Sequence, residues 1–419
     1  MELNEETDGA RQSSPDRLMN ALLWHWEHLG SASTSTRSLC RSAGVQMASL
    51  YHHFESVERL FLEGQAVAQD RTEQWLEERL DMLRGLALPP LAIGAFLAAM
   101  IDDWCGQQRQ LAFAWRECGL LAARQARFRP ALARWNNLWQ RFWSQAAHIF
   151  GLGDHAAITG HFFLGQSIIH IIPWQPVFDR ASLQEACAGW AGWLQGHAAP
   201  ASPWFDLARS QAESGLARAE LSDDIARRIA AAAAGIVEAQ GVGRLTHRAV
   251  AAEAGVSLGT VSHRFRTVTD LIAAAFETMY QKAVGKREAI FPDKADAGNE
   301  ALARWVTEGA LGGPNLGLGN DELLIACARG NGLHAFAAQL RYMRGRSGIQ
   351  YLQLLAGPRH APRAIDAFIF SSFMIGLIAT YGTIEDRAAR LDKASPYVRS
   401  VSAMFIRSQH GSDDIGNQT

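Results

Sequence analysis

Apolar and polar positions along the chain follow the period of an amphipathic helix, and near each end of one half-length they do so in the same order. Apolar residues recur at helical spacing from about Asp16 to Leu29, and Gly30 supplies the stop. Ser35 can cap a short helix whose inner face carries Leu39 and Ala43. Gly44 offers the positive φ that a tight helix-to-helix turn needs, and Val45 plugs that turn into the core. A third helix over about Met47 to His53 turns Leu50 and Phe54 inward. Ser56 then caps a longer fourth helix carrying Val57, Leu60, Phe61, Val67, Trp75 and Leu80.

The series returns 211 residues later without a gap: Gly30 is matched by Gly241, Gly44 by Gly255, Phe54 by Phe265 and Leu60 by Leu271. Ser222 reads as the N-cap of the second first helix, about Asp223 to Gln240, with Asp223 and Asp224 complementing its dipole. Thr246 caps the next helix, Val250 and Ala254 face inward, Val256 fills the turn, and Thr267 caps the fourth helix. The chain therefore reads as two copies of one unit of roughly 200 residues. The rest of each half is apolar helical pattern with no convincing strand alternation, so the expected fold class is all-α. Sixteen uncharged residues from Ala367 to Gly382 read as a buried helix, too short and too serine-containing for a typical membrane span. The stretch from about Gly309 to Asn320, with Pro314, fits neither GxGxxG nor a Walker pattern and reads as an interhelical loop.

Composition narrows the function. With 48% hydrophobic and 20% charged residues, global disorder is excluded. A formal charge of −2 excludes a protein that coats nucleic acid by bulk charge, so any DNA contact must be local. Cys40, Cys105, Cys118, Cys187 and Cys327 form no CxxC pair, which fits a reducing cytoplasm and argues against a zinc site or a disulfide framework. The N-terminus to Pro15 lacks an apolar core, so no signal peptide is expected. Only Lys282, Lys286, Lys294 and Lys393 are lysines among 40 basic residues, a bias that suggests a GC-rich bacterial source.

Taken together, the capped helix, the Ala43-Gly44-Val45 and Ala254-Gly255-Val256 turns, the short helices ending in His52-His53-Phe54 and His263-Arg264-Phe265, and the Ser/Thr-Val-x-x-Leu start of the next helix resemble the tetracycline-repressor (TetR) family. The resemblance covers about 50 residues in each half. It implies helix-turn-helix DNA-binding domains over 16–64 and 222–275, helical ligand-binding and dimerisation domains over 65–197 and 276–410, a linker over 198–221, and a disordered N-terminus over 1–15.

A short helix projecting from a tight turn can enter a major groove while its predecessor braces against the backbone. The groove-facing candidates are Gln46, Ala48, Ser49 and His52, with Tyr51 at the phosphate edge, and Ser257, Gly259, Thr260, Ser262 and His263 in the second copy. Thr36 with Arg37, and Thr246 with Arg248, stand where a helix N-terminus can take a phosphate, and Arg264 adds phosphate-neutralising charge. Val57 and Val268 replace a lysine frequent in the family, and Ser262 replaces its recurrent tyrosine, present here as Tyr51.

Twelve of 13 tryptophans precede residue 205. Trp135, Trp139 and Phe142 at helical spacing suit a core, whereas Trp104, Trp115, Trp139 and Trp174 are the candidates to touch a small hydrophobic or aromatic effector. His155, His161 and His170 lack partners at metal-ligand spacing, and His25-Trp26-Glu27-His28 lacks the HExxH spacing of a zinc protease. No metal, no cofactor and no catalytic constellation is expected.

The expected protein is a cytoplasmic, ligand-responsive repressor that binds a double-stranded operator. The alternative is a helical sensor or interaction module with degenerate helix-turn-helix units. Paired apolar helices, Ala157–Ile172 with Ser182–Leu194 and Arg363–Tyr381 with Ser395–Arg407, need partners. An intramolecular pseudo-dimer is expected, with a homodimer of chains as the competing arrangement.

Overall fold

Helix caps and apolar stripes divide the chain into helices throughout. A computed structural model describes residues 13–214, 223–288, 298–313, 318–330, 333–358 and 360–410. The first half forms α1 (Ser14–His28), α2 (Thr36–Ala43), α3 (Met47–Phe54), α4 (Val57–Leu83), α5 (Ile93–Gly106), α6 (Arg109–Arg124), α7 (Arg129–Ile149), α8 (Ala156–His170), α9 (Pro176–Leu194) and α10 (Pro203–Ser214). The second forms α11 (Asp224–Gln240), α12 (His247–Ala254), α13 (Leu258–Arg264), α14 (Val268–Glu288), α15 (Asn299–Leu311), α16 (Leu318–Ala328), α17 (Ala337–Tyr342), α18 (Arg346–Ala356), α19 (Ala364–Tyr381) and α20 (Arg387–His410). Among the described residues all regular structure is helical, as the pattern predicts.

The offset of 211 residues extends beyond the motif. It relates α2 to α12, and the single-turn 3-10 helices Ser31–Ser33 to Val242–Arg244. It also relates the first residue of α9 to that of α20. The halves differ at α7, where the second has α17 and α18, separated at residues 343–345, and at α10, which has no described counterpart.

Three expectations are corrected. The segment expected to be linker contains α10, because Phe205, Ala208 and Ala212 form a helical apolar stripe that the chain buries. Glu185 of α9 caps its start, accepting from the Trp204 and Phe205 amides at 3.0 and 2.7 Å. Phe205 then packs on Tyr342 and Phe368 of the second half, so α10 is a strap between halves and not a spacer. Second, Asp223 and not Ser222 caps α11, its carboxylate accepting from the Ala226 amide at 2.8 Å, because the helix begins one residue later than expected. Third, the loop expected from Gly309 is shorter, since α15 runs on to Leu311 and α16 starts at Leu318. Residues 1–12, 215–221, Ser222 and Pro314 lie outside the described residues.

The tryptophans expected to touch an effector are packed among other rings. Trp104, Trp115 and Trp139 are each 5% exposed or less. Trp115 stacks between Trp135 and Trp139, with centroids 5.8 and 5.1 Å away, and Trp104 stands edge-on to Trp139 at 5.0 Å. Trp135 donates its indole N–H to Gln65 at 2.8 Å, and Gln65 donates to the Ala114 carbonyl. Trp174 is half-buried against Phe178 and Tyr342. These rings fill space between helices, as large flat side chains do in a core.

The halves meet where α8 crosses α19. Gly165 and Gly376, 211 residues apart, face each other there. A Cβ on Gly165 would lie 1.7 Å from the Ser372 carbonyl oxygen, and one on Gly376 would lie 1.8 Å from the His161 carbonyl oxygen. His161 and Ser372 are themselves 211 residues apart, so the contact is self-complementary, as in a two-fold interface. Gln166 donates to the Ser372 hydroxyl at 3.0 Å beside it. Rings extend the contact: Phe162 stacks on Trp190, Trp190 on Phe373, and Trp193 packs against Phe405. α19 is apolar and long enough to cross a membrane, with mean hydropathy 1.7, yet 61% of it is buried in this packing.

Gly376→Ala forces the two backbones apart and should destabilise the chain by about 1–3 kcal/mol or more in a denaturant titration. Gly119→Ala, whose Cβ meets nothing within 4 Å, is the control and should be neutral or stabilising by up to about 1 kcal/mol.

A pH dependence follows from the same interface. His161 lies among Phe373, Tyr381 and Tyr397, with Thr380 at 3.3 Å from Nδ1, and burial pushes its pKa down to about 4. The unfolded chain then binds a proton that the folded chain refuses, so stability should fall as pH drops from about 6.5 to 4. The slope from this group is at most about 1.4 kcal/mol per pH unit. His161→Gln should flatten that part of the stability profile. The buried His25 and the half-buried His155 and His170, also shifted down by desolvation, keep the remainder.

Candidate DNA-binding site

Each half presents a head of three short helices on the start of a fourth. In the first, Leu18, Leu22, Leu39, Leu50, Phe54 and Leu60 form a closed apolar centre. Ser35 caps α2 reciprocally with Ser38, and Gly44 ends it at φ 62°. In the second, Ile229, Val250, Val261, Phe265 and Leu271 take the equivalent places, and Gly255 ends α12 at φ 63°. No side chain with a Cβ adopts that turn without strain, which is why glycine stands at both positions.

With Leu50 and Phe54 turned inward, α3 exposes Gln46, Ala48, Tyr51 and His52, while Ser49 is half-buried. With Val261 inward, α13 exposes Ser257, Gly259, Ser262 and His263, while Thr260 is half-buried. Arg37 and Arg248 are exposed on the preceding helices, Thr36 is half-buried and Thr246 exposed. The expected reading residues thus share one outer face in each head.

Hydrogen bonds assign several of these groups a local role. The Thr246 hydroxyl accepts from the Ala249 amide at 3.1 Å, and the Ser257 hydroxyl accepts from the Thr260 amide at 3.0 Å and pairs with its hydroxyl at 2.8 Å. Both are N-caps. Arg264 is drawn into an ion pair with Asp223 at the start of α11. Its guanidinium ties α13 to α11, so the phosphate-neutralising role expected of it is shared with a structural one. The first head lacks this tie, and its α3 ends instead at Glu55 with φ 55°.

The two heads touch. A Cβ on Gly243 would lie 3.0 Å from the Ser33 hydroxyl, where the 3-10 turns of the heads face each other. Between them lies a cavity of about 380 Å³, lined by Leu29, Leu120, Leu245, Ile272, Glu322 and Arg329 among others. Glu117 and Glu322 are buried at its floor, and burial holds the Glu322 carboxyl above the usual range against the pull of Arg124. Neither was expected from the sequence. The available signal was a charged residue inside an apolar helical run, as in Trp115-Arg-Glu117-Cys-Gly-Leu-Leu121 and Glu322-Leu-Leu-Ile325, which demands a buried partner. Among the described residues no group of three or more His, Cys, Asp and Glu side chains is placed to hold a metal ion.

A bracing helix, a left-handed glycine turn and a short projecting helix define a helix-turn-helix DNA-binding domain. Residues 229–275, from α11 to the first turns of α14, match the family model for bacterial regulatory proteins of the tetR family. Over those residues the second head is similar to that family. No curated protein matches the chain.

Thr246→Ala should lower stability by about 1 kcal/mol through loss of the α12 cap, and Thr246→Ser should restore it. Thermal unfolding monitored by circular dichroism reads both.

Proposed function

We propose that this protein is a transcriptional repressor whose two unlike helix-turn-helix heads, carried on one chain, read an asymmetric operator as an intramolecular pseudo-dimer. The observation that carries this reading is the self-complementary crossing of α8 and α19 at Gly165 and Gly376. It brings repeat-related helices together inside one chain, where a dimer would bring them together between chains. The first head earns a place beside the second through its matching helices, its turn glycine and the shared offset.

The heads differ in what they offer DNA. The first exposes Tyr51, His52 and His53 on a helix poor in cationic side chains, and the second is richer in arginine, with Arg244, Arg248 and Arg266 exposed. Two unlike surfaces suit an asymmetric site better than a palindrome.

A small hydrophobic or aromatic effector completes the proposal. Support comes from the cavity of about 380 Å³ between the heads, within the size range of small-molecule sites. A ligand that favours a different spacing of the heads lowers DNA affinity, and DNA lowers ligand affinity by the same factor. We place the protein in the cytoplasm and assign it no enzymatic role.

Genome-wide capture of bound DNA tests the reading. Arg37→Ala or Arg248→Ala should weaken binding to all sequences and reduce the salt slope by about one phosphate. Gln46, Ser49, Thr260 and His263 substitutions should shift sequence preference by roughly 1–3 kcal/mol per lost base contact. If scrambling the exposed faces of α3 and α13 leaves the captured sites unchanged, the protein is instead a sensor or interaction module.

A further inference from the structure

Three arginine–carboxylate pairs join α6 of the first half to α16 and its end in the second, directly beneath the heads. Arg116 meets Asp321 at 3.1 Å, Arg124 meets Glu322 at 2.5 Å, and Arg329 pairs with Glu117. The last pair is buried on both sides, with side chains 7% and 2% exposed. Each buried carboxylate also holds one head by its backbone. Glu117 accepts from the Ser31 amide at 3.0 Å, and Glu322 accepts from the Val242 amide at 3.3 Å.

Arg329 goes further. Its guanidinium donates to the Trp26 carbonyl at 2.6 Å and the Glu27 carbonyl at 3.1 Å, in the last turn of α1, where carbonyls lack helical partners. Thus a residue of the second half grips the first head. From the other side, Arg124 of the first half grips the carboxylate that holds the second head. The repeat-related glycines make room for both groups. A Cβ on Gly30 would stand 2.9 Å from the Arg329 guanidinium, and one on Gly241 would stand 2.9 Å from the Glu322 carboxylate. Arg109 reinforces the junction, bonding Glu27 at 3.2 Å and the Ala328 carbonyl at 2.7 Å.

We propose that Arg329 and Glu322 are positioning residues that lock the two heads at one separation, so that the chain selects DNA sites by the spacing between their two halves. Ions this deeply buried persist only while paired, which makes the lock two-state instead of gradually deformable. Fold stability alone is served as well by apolar packing, whereas a forked guanidinium reaching two carbonyls and a carboxylate fixes an orientation. The inference rests on the DNA-reading proposal for its consequence and on the ion pairs for its mechanism.

The test separates the two. Arg41 and Ala252, exposed on α2 and α12 at repeat-related positions, are replaced by cysteine and spin-labelled, the five native cysteines being buried. Double electron–electron resonance should give one narrow distance distribution in the parent chain. Glu117→Gln with Arg329→Met removes both charges together, leaves an acceptor for the Ser31 amide, and should broaden that distribution. On DNA duplexes whose half-sites are spaced in single-base-pair steps, the parent should prefer one spacing by at least about tenfold, and the double variant by no more than about threefold. Its affinity for an isolated half-site should stay within about twofold of the parent's.

A folded double variant with an unchanged distance distribution and unchanged spacing preference overturns the proposal. If the double variant does not fold, Arg329→Lys, which keeps the charge and loses the fork, carries the same expectations. A parent chain that binds no DNA refutes the regulator reading, and the distance measurement still decides the lock.

Discussion

Two helix backbones in contact leave no room for a side chain on either, and that constraint organises this molecule. At the crossing of α8 and α19, glycine is required on both helices, at Gly165 and at its repeat-related counterpart Gly376. Closing that gap brings Phe162, Trp190 and Phe373 into one stack and sets Trp193 against Phe405. From there α10 reaches across with Phe205, and the arginine pairs under the heads close the other end of the junction. An apolar crossing and a set of arginine–carboxylate pairs thus both join the two halves.

The near-symmetry is broken within the heads. Arg264 ties α13 to Asp223 in the second head, and the first head has His53 at that position. Ser257 caps α13 with its hydroxyl, whereas Gln46 makes no side-chain cap bond at the start of α3. The second head is therefore the more tightly braced and the more cationic, and the first the more aromatic. A chain that carries its own partner is free to diverge in this way, whereas a homodimer must present two identical faces.

Much of this was legible in the residues. Helix caps at Ser35, Ser56, Thr246 and Thr267, and turns at Gly44 and Gly255, are local signals, and local hydrogen bonding realises them. The exposed faces of α3 and α13 follow from Leu50, Phe54 and Val261 by helical periodicity alone. What could not be read is what depends on the other half. Nothing near Arg329 in sequence points to Glu117, 212 residues away, and the helix in the supposed linker is stabilised by Tyr342 and Phe368, which no window contains. The tryptophans were ambiguous for a related reason. An aromatic cluster looks alike as core and as pocket until the rings around it are placed, and here Trp115 is filled in on both faces by Trp135 and Trp139.

The central claim is that one chain serves as its own dimer, and the mass of the assembly on DNA tests it most directly. Native mass spectrometry of the protein bound to its captured operator should show a single chain of 45.9 kDa per site. A complex of two chains on a palindromic site would contradict the account, because it would mean that the crossing of α8 and α19 does not supply the dimer that operator binding uses.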